Sequence, residues 1–126
     1  MEEIPFSKET EDIILGNVIN YEDAYDEVAP YLRNGEVFFQ DEAKMLWDRI
    51  TELKKSQVPV DLVTICNSLT KDDKLLGLDN GYIVECSTGA TTSGMTKTYA
   101  HQIYEKYLLR QLIEKATEIK DKASKN

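Results

Sequence analysis

Apolar residues recur at three-and-four spacing along most of this chain, which predicts six helical segments and no convincing strand. Ser7 is placed to cap a first helix, with Glu9 and Glu11 in its opening turn, where the helix dipole favours anions. Ile13, Ile14, Val18 and Ile19 give that helix its apolar face. Gly16 in its middle costs about 1 kcal/mol against alanine, so a second helix is expected to pack closely there. A second segment runs from Glu22 to Ala29, where Pro30 is expected to end or kink it. Asp41 reads as the N-cap of a third helix reaching Lys55, with Ala43, Leu46, Trp47, Ile50 and Leu53 as its buried stripe. Pro59 and Asp61 favour a short fourth helix from Leu62 to Leu69, against the strand preference of its β-branched residues. TKDDKLLGLDNG then reads as a polar, glycine-punctuated loop, and Tyr82 to Cys86 as a short fifth helix.

The last segment differs in length. From about Lys97 to Ala123, the residues Tyr99, Ile103, Tyr107, Leu108, Leu112, Ala116 and Ile119 mark one long helix. Ala100, Tyr104, Leu109 and Ile113 widen its apolar face further. At roughly 1.5 Å per residue such a helix is about 40 Å long, more than the width of a compact domain of this size. It is therefore expected to protrude, and its apolar face to require a partner. The expected fold is all-α: a compact head of about five short helices over residues 1–92, then a linker and long helix over residues 93–126.

Length and charge narrow the function. A chain of 126 residues is one domain by length and can bury a core without disulfides or metal. Its net charge of −8 disfavours direct nucleic-acid binding, because such affinity comes largely from Lys and Arg on phosphates. The cations of the C-terminal third, Lys106, Arg110 and Lys115 among them, interleave with Glu105, Glu114, Glu118 and Asp121 and read as a solvated, ion-paired face. The acidic N-terminus is unlike a signal peptide, and no apolar run approaches the ~20 residues of a membrane span. Cys66 and Cys86 have no neighbouring ligands and read as reduced small hydrophobes of a cytoplasmic protein.

One stretch invites a catalytic reading. GATTSGMT, residues 89–96, matches the phosphate-binding pattern G-x-x-x-x-G-K-[ST] at Gly89, Gly94 and Thr96, but Met95 stands where the lysine belongs. The pattern also needs a buried strand, a Mg²⁺-binding carboxylate and a parallel sheet, and none is visible. His101, the sole histidine, lies near Tyr104 and Glu105 with no nucleophile in reach of the pattern, so a surface or interface role is favoured. Glu22, Asp23, Asp26 and Glu27 lack the alternating ligands and turn glycine of a calcium loop and read as a solvated face. Trp47 with Phe38 and Phe39 lacks the basic groove of a base-stacking platform, so core packing is expected.

The order of several motifs resembles the N-terminal domain of DnaB-type replicative helicases. PFSKETEDIILG at 5–16 is similar to that family's P-x-S-x-E-x-E-x-x-x-L-G opening. DEV at 26–28, FF at 38–39 and PVDLVTI at 59–65 follow in order. YAHQIYEKYLLRQLI at 99–113 is similar to the family's Y-A-x-I-x-x-K-x-x-x-R-x-L-I stretch. The histidine usual after the family's aromatic pair is Lys44 here, and its paired glycines are reduced to LDNG.

The resemblance implies a helical head followed by a helical hairpin, of which the long helix would be the first arm. Such domains pair through their hairpins and form a collar of three dimers that carries primase and, in some systems, influences the loader. By this reading Tyr99, Ile103, Tyr107, Leu108, Leu112 and Ile119 would form the dimer interface. The head would present the primase-docking surface, with Glu22, Asp23 and Asp26 as contributors suggested by charge rather than by the resemblance. The ATPase domain, with its ATP and Mg²⁺, is expected to lie outside this chain, which is read as an assembly module with no catalytic, cofactor or metal residues. A free-standing adaptor that regulates a helicase by mimicking this domain is the alternative. GATTSGMT falls where the family has a small polar loop before its long helix, and its residues there serve as helix terminator and cap.

Overall fold

The computed structural model describes residues 4–125, which form seven α-helices and two short 3-10 turns, with no strand among them. They are α1 (Lys8–Asn20), α2 (Ala24–Val28), α3 (Asp41–Lys55), α4 (Leu62–Ser68), α5 (Lys71–Leu75), α6 (Asn80–Thr88) and α7 (Thr96–Ser124). The 3-10 turns cover Gly35–Val37 and Ser93–Met95. This is the expected all-α architecture.

Local chemistry sets most helix starts. Ser7 accepts a hydrogen bond from the Thr10 amide at 3.2 Å, Asp61 from Thr64 at 2.8 Å and Asp79 from Tyr82 at 2.9 Å, each satisfying one free N–H of a first turn. At α3 the expectation fails by one residue. Asp41 is the first residue of the helix, and Gln40 is the N-cap without a side-chain bond to it. The Gln40 side chain points elsewhere, donating from Nε2 to Glu11 and Asp12 at 3.1 Å each. The second segment is also shorter than its pattern suggests, with Glu22 and Asp23 in the turn that precedes α2.

The TKDDKLLGLDNG loop contains a helix that periodicity misses. Thr70 and Asp73 form a reciprocal capping box, and Gly77 (φ +108°) takes the left-handed conformation that follows the helix end. α5 buries none of its residues, so no apolar stripe marks it. It is fastened by Arg49, which donates to Asp73 at 2.9 Å and to the Ser68 carbonyl at 2.7 Å.

α1 is the central element, packed against α2, α3, α6 and α7. Residues Ile14 to Ile19 are all buried, so this helix is covered nearly all round rather than along one face. Trp47 and Phe38 are buried in the core as expected, with the indole stacked at 5.1 Å on Tyr25. Ala100 and Ile103 of α7 also enter this core, so the packing crosses the expected boundary between residues 92 and 93.

Gly16 shows why α1 and α6 can approach. A methyl group there would fall on the Cys86 carbonyl, 2.7 Å from its carbon and 3.2 Å from the Ala90 Cβ. Beside it the buried Asn17 donates to the Thr96 hydroxyl at 3.0 Å and accepts from the Thr91 amide at 2.9 Å. Alanine in a helix is normally preferred to glycine by about 1 kcal/mol, but overpacking against backbone costs roughly 1–3 kcal/mol. Gly16→Ala is therefore expected to lower stability by about 1–2 kcal/mol, read as an earlier urea midpoint at unchanged slope. A later midpoint would show that α6 moves aside freely.

Candidate functional site

α7 has two apolar faces with different fates. Thr96, Ala100 and Ile103 are buried against the head, and Tyr99 and Tyr107 are half-buried on it. Leu108, Leu112 and Ile119, at steps of four and seven, lie on another line of the helix and are 47%, 66% and 69% exposed. Tyr104, Leu109 and Ile113 border that open line. The six residues read from the sequence as one interface are thus divided. Ile103 belongs to the head core, because its line continues from Ala100 to Tyr107 and faces α1, so a charge at 103 would disrupt the head itself. Only Leu108, Leu112 and Ile119 stand on the open face.

The transition between the two regimes occurs at one side chain. Arg110 donates from Nη1 to the Pro5 carbonyl and from Nη2 to the Val37 carbonyl, both at 2.8 Å. Its guanidinium also lies 5.5 Å from the Phe39 ring and 5.8 Å from the Tyr107 ring. Phe39 stacks in turn on Phe6 with centroids 4.2 Å apart. From Leu112 to Lys125 every residue is exposed.

The same segment is held from its other side by Glu11, which is 2% exposed. Its carboxylate accepts from the Phe39 amide at 2.8 Å, the Gln40 amide at 3.2 Å and Gln40 Nε2 at 3.1 Å. Burial raises the Glu11 pKa above the usual carboxylate value, against the opposing effect of these donors and of the Arg110 charge. Burial likewise lowers the Arg110 pKa. Sequence reading gave Glu11 a dipole role and Arg110 a surface role. The available signal was position: Glu11 is three and four residues before Ile14 and Leu15, and Arg110 follows Ile103 and Tyr107 at seven and three.

The GATTSGMT stretch is occupied with structural bonds. Gly89 is the C-cap of α6, and the Thr91 carbonyl accepts from the Tyr21 hydroxyl at 3.0 Å. Thr91 and Thr96 present their hydroxyls to the buried Asn17 amide rather than to an open cradle. Neither thiol is placed as a nucleophile: burial pushes Cys86 up to about 12 and raises Cys66 as well. His101 is exposed and pairs with Glu105 at 3.3 Å. No group of three or more potential metal ligands occurs among the described residues.

On the head, Glu22, Asp23 and Asp26 are all exposed. Glu22 also lines an open groove of about 590 Å³ with Val18, Lys54, Val58 and Val60, between the ends of α1 and α3. No helix among the described residues is long and apolar enough to cross a membrane.

Comparison with known proteins gives a consistent result. The family described as DnaB-like helicase N terminal domain matches residues 3–105. The replicative DNA helicase DnaB of Buchnera aphidicola subsp. Baizongia pistaciae is 26% identical over 118 residues, covering 93% of this chain and 25% of the relative. That of Leifsonia xyli subsp. xyli is 29% identical over 106 residues, covering 83% of this chain and 23% of the relative. The chain thus spans about a quarter of the curated relatives it matches. The crystal structure of the N-terminal domain of DnaB helicase from Mycobacterium tuberculosis superimposes with a TM-score of 0.86 at 25% identity, covering 94% of this chain and 86% of that one. A structure of a DnaB-like replicative helicase and its interactions with primase shares the fold, with a TM-score of 0.78 at 18% identity and coverage of 95% and 28%.

The buried Glu11 gives a signed pH dependence. A folded pKa above the unfolded value means that the folded state binds the proton more tightly. Its contribution is full below the ordinary carboxylate pKa of 4.5 and declines as pH rises through the raised folded value. The stability difference between wild type and Glu11→Gln, taken from urea midpoints, is expected to shift in favour of the Gln variant as pH rises from about 4 to 7. A shift in the opposite direction would mean that the three N–H donors outweigh burial.

Proposed function

The chain belongs to the family of DnaB-like helicase N-terminal domains, and from that premise we propose that it is the assembly module of a hexameric replicative DNA helicase. In this reading two copies pair through the open face of α7, three such pairs make a collar, and the head offers the collar's docking surface to primase or a loader. ATP hydrolysis and unwinding, with their Mg²⁺, belong to another part of the parent protein. The observation that carries the proposal is the bare stripe of Leu108, Leu112 and Ile119 on a helix whose opposite face is already committed to the head. Fully burying a leucine or isoleucine contributes about 1.5–3 kcal/mol. A row of three, bordered by Leu109 and Ile113, therefore supplies several kcal/mol toward pairing. A DnaB-like replicative helicase whose structure was described with its interactions with primase shares this fold, which favours primase as the partner in this reading.

Self-association is the first test. Sedimentation equilibrium over a concentration series is expected to show a monomer–dimer equilibrium. Leu112→Asp or Ile119→Asp is expected to weaken it at least about tenfold, because 1.4 kcal/mol corresponds to one decade. Both positions are exposed, so helicity and head stability should be unchanged. A chain that remains monomeric at millimolar concentration would remove pairing from its function.

The docking role has its own test. An acidic head steers a basic partner surface, and rim charges act mainly on association rates. Charge reversal of Glu22, Asp23 and Asp26 to Lys is expected to slow association with the primase of the same genome, measured by interferometry, while leaving pairing intact. Association with the unmodified head should also slow as salt rises. Absence of any primase binding by the paired domain would restrict its role to ring organisation.

A further inference from the structure

Beyond pairing and docking, the molecule must determine where its bare arm points. Beyond Arg110 the thirteen residues Leu112 to Ser124 of α7 are all exposed, about 20 Å of helix. Upstream, the helix is seated by Ala100 and Ile103, which pack without directional bonds, and at its first residue by the Thr96 hydroxyl, which accepts from Asn17 at 3.0 Å. Arg110 is the outermost point of attachment, and its attachments are directional. A planar guanidinium that spans two carbonyls from different segments fixes both distance and orientation, which a dispersion contact does not. One of those segments, residues 4–6, precedes α1 and meets α7 at Arg110, as a strap from the N-terminal side. It is held there by the Pro5 carbonyl bond and by the Phe6–Phe39 stack. The other, at Val37, is immobilised by Glu11 through the neighbouring Phe39 and Gln40 amides.

We propose that Arg110, with the strap it holds, is the positioning residue that fixes the direction in which the free arm of α7 leaves the head. The leverage is considerable. Seven residues separate Ile103 from Arg110 and twenty-one separate Ile103 from Ser124, so a displacement at Arg110 about Ile103 is tripled at the tip. Pairing of two arms depends on that direction, so the geometry of an assembly would be set by two carbonyl bonds inside each copy. The inference concerns the single copy, however, and stands whether or not arms pair.

Residual dipolar couplings of backbone amides test it. They are measured in a Leu112→Asp background, which suppresses pairing, so a failure here is distinct from a failure of the assembly reading. With Arg110 present, couplings from α1, α3 and residues 113–122 of α7 are expected to fit one alignment tensor. In Arg110→Gln the head couplings should remain self-consistent, while the arm requires a separate tensor of smaller magnitude. Phe6→Ala, which loosens the strap but keeps the arginine, should move the arm tensor in the same sense, and it serves if the Gln variant does not fold. Arg110→Lys keeps the charge but loses the fork and should not restore a common tensor. A single tensor in both Arg110→Gln and Phe6→Ala, or full rescue by lysine, would overturn the proposal.

Discussion

Everything distal in this molecule depends on how the backbone of residues 37–40 is held. Glu11 on α1 takes its amides, and Arg110 on α7 takes the Val37 carbonyl and covers the Phe39 ring. A buried carboxylate is costly unless its oxygens are fully engaged, and this one accepts three N–H donors. Removing either charge would leave polar backbone in an apolar setting, so the arrangement is specific in a way that interchangeable aliphatic contacts are not. It joins four pieces of chain: the N-terminal strap, α1, the lead into α3, and α7.

That joint explains the division of α7 into two halves of different character. Up to Arg110 the helix is a core element, its Ala100 and Ile103 as buried as anything in the head. Beyond it Leu112, Ile113 and Ile119 are exposed. Scattered exposed leucines are ordinary, whereas this contiguous apolar stripe is the surface that the proposed pairing would use. The chain's chemistry-bearing residues are engaged in the fold: burial shifts both thiols upward, His101 pairs with Glu105 and packs edge-on against Tyr31, and the Thr91 and Thr96 hydroxyls serve Asn17.

The glycine loop also shows how a motif and a fold can share residues. Gly89 and Thr96 keep the spacing of a phosphate loop, but here that spacing separates a helix C-cap from the first residue of α7. A phosphate loop and a helix N-terminus both present free backbone N–H groups, whereas a C-cap such as Gly89 closes a helix end whose free groups are carbonyls, and only the surrounding elements tell the two uses of the motif apart.

The sequence by itself determined the helical class, the caps at Ser7 and Asp61, the core roles of Trp47 and Ile50, the close approach at Gly16 and an overlong last helix. These are readable because capping, periodicity and the cost of an interior glycine act over a few neighbouring residues. Only the tertiary structure decided which of α7's apolar residues serve the head. The sequence shows a broad apolar face, and the line from Ala100 to Tyr107 looks no different from the line through Leu108 and Leu112 until α1 is laid against one of them. The same holds for Glu11, whose first-turn position suits the dipole but whose burial follows from contact with residues 28 and 29 positions away. α5 buries none of its residues, and hydrophobic periodicity marks only what is buried. Arg110 reads locally as one more cation in a mixed-charge helix. Its bonds to Pro5 and Val37 span 105 and 73 residues, and partners at that separation are chosen by the fold alone.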